Sequence, residues 1–257
     1  MKIDVTHRGR QRYRNDPPSS RIVMQTSINT HMKKSTQLLL VALISIAIVG
    51  CSKNPADNVT KAEMAEASGT QQVADASEMT EAAISAKTAY IISADSKINF
   101  LASKIVGSEQ PGGFEKFVGQ LNVSDGELIA EESKIVIDMH SIWTQAGARL
   151  TKHLKNADFF EVEKNPTSTL IATKIEEVDG KRMITGDLNM HGVTKSITFP
   201  AEVSISDQEL TLTAEFHLDR SAFGMEFTGR ADNIIRKEVI MTLDIKAKPG
   251  EANFGAL

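Results

Sequence analysis

The stretch "LTLTAEFHLD", residues 210–219, alternates apolar and polar side chains without interruption. Successive side chains of a β-strand point to opposite faces of the sheet, so this period of two predicts a strand with one buried and one exposed face. The residues assigned to the buried face are Leu210, Leu212, Ala214, Phe216 and Leu218.

Seven further segments also predict strands. They are residues 91–105, 114–123, 132–139, 167–175, 184–190, 196–205 and 239–247. Short turn sequences such as "VDGK" (178–181) and "SDQE" (206–209) separate neighbouring segments, and connections this short join antiparallel strands. Because eight such strands can close without leaving an exposed edge, we predict an all-β fold, an eight-stranded antiparallel barrel. Pro200 predicts an edge, a bulge or a bend in the sixth strand.

One segment, "TQAGARLTKHLKNADFF" (144–160), departs from the alternation. Leu150 and Leu154 stand at helical spacing, and Thr144 is a candidate N-cap, although Gly147 weakens the helix. We predict one short helix here, between strands three and four, ending before Asp158. The two phenylalanines that follow are expected to pack at the barrel mouth or over its interior.

Residues 32–50 have the layout of an export signal. Met32 is followed by two lysines, an apolar run covers 38–49, and Gly50 precedes Cys51, the one cysteine of the chain. The run is shorter than the roughly 20 apolar residues that a membrane-spanning helix needs. By composition alone, Cys51 can be either an inert buried thiol or a chemical handle.

The sequence "IVGC" (48–51) resembles the lipobox of bacterial lipoproteins. This resemblance implies cleavage before Cys51, acylation of its thiol and anchoring of the protein to a membrane through Cys51. Ser52 after the cysteine implies sorting to the outer membrane, facing the periplasm, so the expected location is the bacterial cell envelope.

Residues 1–31 are basic and precede a complete signal, so we interpret them as an over-extended N-terminus, with translation starting at Met32. Residues 1–50 hold 8 of the 29 Lys and Arg and 2 of the 33 Asp and Glu, so residues 51–257 retain 21 basic and 31 acidic residues, a net charge of −10. An acidic chain repels phosphate backbones, and no nucleic-acid partner is expected.

Composition divides the rest of the chain into three parts. Residues 51–88 are rich in Ala, Glu, Ser and Thr and contain no aromatic residue, which predicts a flexible tether. Residues 89–250 are long enough for one domain with its own core, and residues 251–257 form a C-terminal tail.

Three long motifs resemble the YceI-like family. They are "SIWTQAGARLTKHLKNADFFEVEKNPTSTL", "GDLNMHGVTKSITFPAEV" and "FHLDRSAFGM". The resemblance covers nearly all of residues 90–247. It implies a lipocalin-like barrel that binds a long apolar chain, such as a polyisoprenoid, a quinone tail or a fatty chain, without a cofactor.

Apolar side chains of the strands and of the helical segment are the candidate ligand contacts, although each is also a natural core residue. They are Phe100, Phe114, Phe117, Leu121, Ile137, Ile142, Leu154, Phe159, Phe160, Leu188, Phe216 and Phe223. Three small residues expected to face inward, Gly119, Gly186 and Ala214, would leave volume for a ligand.

The polar candidates favour structural roles. His191 is expected to shape a turn with Gly192, and His153 to face either the mouth or solvent. Asp219 and Arg220 are adjacent, so we expect no salt bridge within the pair and predict that each holds a neighbouring loop.

Two other functional classes compete with a lipid carrier. The histidines show no metal-ligand spacing, and neither Gly-x-Ser-x-Gly nor a Gly-rich phosphate loop occurs, so neither catalysis nor a metal site is expected. A structural or stress-related envelope module that binds no ligand would need an interior filled by side chains. A homodimer that covers the tail of a long ligand is a further hypothesis.

Overall fold

The structure, a computed structural model, describes residues 53–67 and 87–256. The strands in these ranges are β1 (Glu63–Glu66), β2 (Thr88–Ile92), β3 (Lys97–Lys104), β4 (Glu109–Phe114), β5 (Phe117–Ser124), β6 (Glu127–Asp138), β7 (Ile142–Thr144), β8 (Thr167–Val178), β9 (Lys181–Met190), β10 (Val193–Ile205), β11 (Leu210–Asp219), β12 (Gly229–Arg230) and β13 (Asn233–Pro249). Helix α1 covers Ala148–Leu154, and short 3-10 turns cover Pro55–Asn58, Met139–Ser141, Arg220–Phe223 and Phe254–Ala256.

The strands form a closed antiparallel barrel. The sheet runs β10-β9-β8-β6-β5-β2-β13-β11, and β11 pairs back with β10. Strand β3 continues the path of β2 along β13. The prediction of an all-β, eight-stranded antiparallel barrel with a short helix between the third and fourth long strands is therefore confirmed.

The two ends of the barrel differ in how their strands are joined. The far end carries tight turns such as Asp179–Gly180, where both residues have positive φ, the backbone of the hairpin turns that match strand twist. The mouth end carries α1, the β3–β4 turn, the turn at His191–Gly192 and the long segment between β11 and β13. Only the mouth end therefore has connections long enough to build a binding surface.

Residues 60–66 complete the barrel wall. Strand β1 pairs with β10 over Glu63–Glu66, and the carbonyl of Thr60 and the amide of Ala62 bond to the backbone of His217 in β11. Ala62 is fully buried. The prediction of a flexible tether over 51–88 is therefore wrong for residues 60–66, which pair with β10 and β11, and for Thr88, which belongs to β2. The signal segment, Cys51, Ser52 and residues 68–86 of the predicted tether lie outside the described residues.

Pro200 lies where β10 has one neighbour. On one side, β10 pairs with β9 over residues 193–201. On the other side, it pairs with β1 over 195–198 and with β11 over 202–205, so Pro200 has a strand partner only in β9. A proline has no N–H to give to a second strand, so this edge-like position suits it. Of the alternatives that the sequence left open, the structure shows an edge inside a long strand.

Two predicted strands are interrupted. The segment 91–105 divides into β2 and β3, because the chain turns at Asp95 and the hydroxyl of Ser96 bonds to the backbone of Lys246 on both its N–H and its carbonyl. The segment 114–123 begins later than predicted, at Phe117, and a corner separates it from β4. Because of the first interruption, β2 pairs with β5 whereas β3, the next strand in the chain, pairs with β4.

The short helix predicted within 144–160 begins later than its candidate N-cap, Thr144, would place it. Helix α1 covers Ala148–Leu154, and Gly147, with φ of 85°, precedes its first residue. Thr144 is no N-cap, because it belongs to β7 and its hydroxyl lies 3.4 Å from that of Thr151. The helix ends before Asp158, as predicted.

The core lies inside the barrel and reaches its mouth. Phe199 and Phe216 stack across it with ring centroids 4.3 Å apart, and Phe223 is fully buried near the mouth. Every described core residue lies between positions 56 and 247. The predicted C-terminal tail contains the turn Phe254–Ala256, where the ring of Phe254 lies 3.9 Å from the ammonium group of Lys134.

Candidate functional site

The mouth end carries an open cleft, here called the mouth cleft, with a volume of about 630 Å³. This volume lies in the range of small-molecule sites. It is lined by Ala102, Ser103, Lys104, Gln110, Arg149, Leu150, His153, Leu154, Phe159, Phe227, Gly229, Arg230, Asp232, Asn233 and Ile235. The lining comes from β3, β4, α1 and the chain that follows it, the segment between β11 and β13, and the start of β13, which are far apart in sequence.

The floor of the mouth cleft is apolar. Leu150 and Leu154 are four residues apart on α1 and therefore face the same side of the helix. Phe159 and Phe227 lie beside them with ring centroids 5.3 Å apart. Ala102 occupies the same face of β3 as Phe100, so the inward face of the barrel strand continues into the cleft.

His153 closes an aromatic cluster at the cleft. Its ring lies edge-on to both Phe159 and Phe227, with centroids 5.2 Å away in each case. Its Nε2 lies 2.9 Å from a carboxylate oxygen of Asp158, which holds the ring in this orientation. Of the two positions that the sequence left open for His153, the structure shows the mouth.

Arg220 supports the floor from below. Its guanidinium donates to the carbonyls of Met225, Phe227 (2.7 Å) and Arg236 (3.2 Å), and its side chain is buried. Burial lowers the pKa of this guanidinium below its ordinary value, and the nearby carboxylate of Asp219 partly opposes the shift. Arg220 thus positions Phe227 and the start of β13, which line the mouth cleft.

The remaining polar predictions are confirmed. Asp219 accepts hydrogen bonds from the amide and hydroxyl of Ser221, so Asp219 and Arg220 hold separate parts of the loop. His191 has φ of 52° in the turn with Gly192. Its Nδ1 donates to the carbonyl of Phe223 at 2.9 Å, which ties this turn to the Arg220–Phe223 segment.

The rim of the mouth cleft is polar and mainly basic. Lys104, Arg149 and Arg230 line it, with Asp232 as the acidic residue among the lining side chains. This excess of positive charge contrasts with the net charge of −10 of residues 51–257. An apolar floor below a basic rim can accommodate a molecule with an apolar chain and an anionic or polar head.

The structure divides the twelve predicted ligand contacts into three groups. Leu154 and Phe159 line the mouth cleft, and Leu121 lines a small apolar cavity of about 40 Å³. The other nine belong to the core or pack against it: Phe100, Phe114, Phe117, Ile137, Ile142, Phe160, Leu188, Phe216 and Phe223. Whether any of them contacts a ligand remains a prediction.

Two of the three small inward residues leave no room for a ligand. A Cβ added to Gly119 would lie 2.4 Å from the side chain of Ile92, and one added to Gly186 would lie 2.8 Å from the carbonyl of Ile171. These glycines permit close packing of neighbours, so the expectation that they leave ligand volume is wrong. Ala214 is a buried member of the core.

Sequence reasoning missed Ala102, Phe227 and Ile235 as lining residues. The signal for Ala102 was present, because it continues the inward phase of Phe100 by two residues. Phe227 lies in irregular chain between β11 and β12, where periodicity gives no information.

Residues 53–67 and 87–256 contain no group of three or more His, Cys, Asp or Glu side chains that could hold a metal ion. Arg220 is the one charged residue among the buried side chains there. No helix of this described part has the length and apolar character needed to span a bilayer.

Solved structures share this fold. Burkholderia cenocepacia BcnA matches with a TM-score of 0.53 and 22% identity, covering 60% of this chain and 98% of that protein. A polyisoprenoid binding domain from Saccharophagus degradans, implicated in plant cell wall breakdown, matches with a TM-score of 0.52 and 17% identity, covering 64% of this chain and all of that domain.

Curated relatives and a family model cover the same region. A UPF0312 protein of Vibrio vulnificus is 36% identical over 110 residues, 42% of this chain and 58% of the relative. One of Pseudomonas putida is 40% identical over 93 residues, 35% of this chain and 47% of the relative. The chain thus spans about half the length of the curated relatives it matches. The model of the YceI-like domain matches residues 90–247, which is more than half of the chain and includes most of the barrel and the mouth cleft, so this protein belongs to the YceI-like family.

Proposed function

We propose that this protein binds a long apolar chain of the polyisoprenoid type, with part of the chain in the mouth cleft. The observation that carries the proposal is a cleft of about 630 Å³ with an apolar floor and a basic rim. Each buried methylene contributes about 0.8 kcal/mol, so about ten would contribute roughly 8 kcal/mol before ordering costs. The basic rim suits a polyprenyl phosphate better than a neutral quinone tail.

The comparison with the Saccharophagus degradans domain supports this choice of ligand class. That protein is named for polyisoprenoid binding and has the same fold. We expect a carrier or storage role without catalysis and without a cofactor.

Filling the cleft should abolish binding without unfolding the barrel. Ala102 is half-buried on the cleft floor, so Ala102→Phe places a ring where the apolar chain would lie. We expect the affinity for radiolabelled farnesyl phosphate, measured by equilibrium dialysis, to fall about tenfold or more, which corresponds to about 1.4 kcal/mol. Ala94→Phe, at an exposed turn outside the cleft, is the matched control.

Equal binding by wild type and Ala102→Phe would show that the mouth cleft is not the site. Mass spectrometry of organic extracts from protein purified from its own cells would then identify the natural ligand, if the protein carries one.

The second candidate function is an envelope module that binds no ligand. The dense interior favours it, since the small apolar cavity beside Leu121 holds about 40 Å³ and Phe199 and Phe223 are almost fully buried. This candidate predicts that wild-type protein binds no farnesyl phosphate and carries no apolar molecule on purification.

We also propose that the protein is a lipoprotein of the bacterial envelope, anchored through acylated Cys51 and facing the periplasm from the outer membrane. The signal layout of residues 32–50 and Ser52 after the cysteine support this proposal. Translation from Met32 and a homodimer remain predictions.

Replacing the acylated cysteine should release the protein from membranes. Cys51→Ser removes the thiol that would carry the lipid, and stable anchoring needs more than one acyl chain. We expect an uncleaved precursor that carries no covalent lipid by intact-protein mass spectrometry and no longer partitions into the detergent phase. A mass that changes only by the replacement of sulfur by oxygen, with unchanged partitioning, would exclude lipidation at Cys51.

A further inference from the structure

Three exposed apolar side chains cluster beside the mouth cleft. Ile105, Val106 and Ile234 are exposed by 45%, 64% and 38%, and they are three of the six large apolar residues that are exposed in the described part of the chain. The amide of Ile105 donates to the carbonyl of Ile234 at 2.9 Å, so the β3–β4 and β12–β13 hairpins meet at this point. We call these three residues the apolar lip.

The apolar lip projects from the mouth end. The amide of Lys104 donates to the carbonyl of Ser108 and closes the β3–β4 turn, which leaves Ile105 and Val106 at its tip. A Cβ built on Gly107, the next residue, would meet no other atom within 4 Å. The tip of the β3–β4 turn is therefore accessible to a partner at the mouth end of the barrel.

Basic side chains flank the apolar lip. Lys104 precedes Ile105, Arg230 lies in the facing hairpin, and Lys53 lines a shallow depression with Lys104 and Gly107. Glu109 and Asp232 are the acidic residues among the linings of this depression and of the mouth cleft. Apolar side chains surrounded by Lys and Arg are the pattern by which proteins bind anionic lipid surfaces.

The direction of the chain points to the same surface. Lys53 and Pro55 lie against the β3–β4 turn, and Cys51 is two residues before Lys53. Two residues span at most about 7 Å, so an acyl group on Cys51 would enter the bilayer close to the apolar lip. This step rests on the proposed lipidation, whereas the exposed side chains and their flanking charges do not.

We propose that the apolar lip docks on an anionic phospholipid surface, with the mouth cleft facing the bilayer. Ile105, Val106 and Ile234 enter the boundary between headgroups and acyl chains, while Lys53, Lys104 and Arg230 contact phosphates. An apolar ligand then moves between bilayer and cleft without crossing water, which would otherwise oppose its transfer.

The test uses residues 51–257 carrying Cys51→Ser and produced without the signal segment, so that acylation plays no part. Co-sedimentation with vesicles of phosphatidylethanolamine and phosphatidylglycerol should show binding that weakens with salt and is lower on phosphatidylcholine vesicles. Val106→Glu should lower binding about tenfold, because it removes an inserted apolar side chain and adds a negative charge. Val178→Glu is the matched control, since Val178 is also exposed, by 45%, but lies at the far end of the barrel.

Three results would overturn the proposal. They are absence of binding to anionic vesicles, an equal loss in Val106→Glu and Val178→Glu, or a dimer in sedimentation analysis that Val106→Glu dissociates, which would make the lip a contact between two copies. Farnesyl phosphate binding by the same Val106→Glu protein separates the two proposals, because a docking defect leaves the affinity of the cleft unchanged.

Discussion

Replacing Arg220 by alanine should lower the free energy of unfolding by about 3 to 5 kcal/mol. The guanidinium donates hydrogen bonds to three carbonyls, those of Met225, Phe227 and Arg236. Arg220 is only 5% exposed. Without it, buried carbonyls lose a partner and the floor of the mouth cleft loses its support. Urea denaturation followed by circular dichroism measures the change.

Arg182→Ala is the matched control for Arg220. Arg182 also forms a polar contact, but its partner is Glu127, whose side chain is 65% exposed, and such a pair contributes at most about 1 kcal/mol. Arg220→Lys should fall between these variants, because one ammonium cannot reach three separated carbonyls in the geometry of a guanidinium. An Arg220→Ala protein as stable as Arg182→Ala would show that the buried hydrogen bonds contribute little.

Placing a carboxylate at Ala62 should destabilise the protein by about 3 kcal/mol or more, because it buries a charge without a partner. Ala62 has no exposed surface, and its amide donates to the carbonyl of His217 at 2.8 Å. Residues 60–66 must either leave the gap between β10 and β11 or bring the charge into the core. Limited proteolysis within residues 53–67 detects release of this segment from the gap. Thermal melting detects the loss of stability that a charge in the core would cause.

Ala65→Asp provides the comparison within the same segment. Ala65 pairs with Ser196 in β10, but its side chain is exposed, so we expect a change below about 1 kcal/mol. If Ala62→Asp and Ala65→Asp have the same melting temperature and both resist the protease, residues 60–66 are not part of the barrel wall.

The sequence by itself determined the class of fold and the order of its main strands. Alternation over 210–219 places Leu212 and Phe216 on the buried face, and both are buried. The turns at Asp179–Gly180 and His191–Gly192 followed from residue types that tolerate positive φ. These features were predictable because strand period and turn chemistry depend on residues that are neighbours in the chain.

Tertiary structure alone decided the pairing of β1, the support that Arg220 gives to the mouth cleft, and the composition of that cleft. Glu63 pairs with Thr198, and Ala102 and Phe227 line the floor of the same cleft although more than a hundred residues separate them. The segment around β1 has the composition of a linker, and it forms a strand because the gap between β10 and β11 offers backbone partners. Contacts between distant residues leave no period in a single sequence, since each depends on how the whole barrel closes.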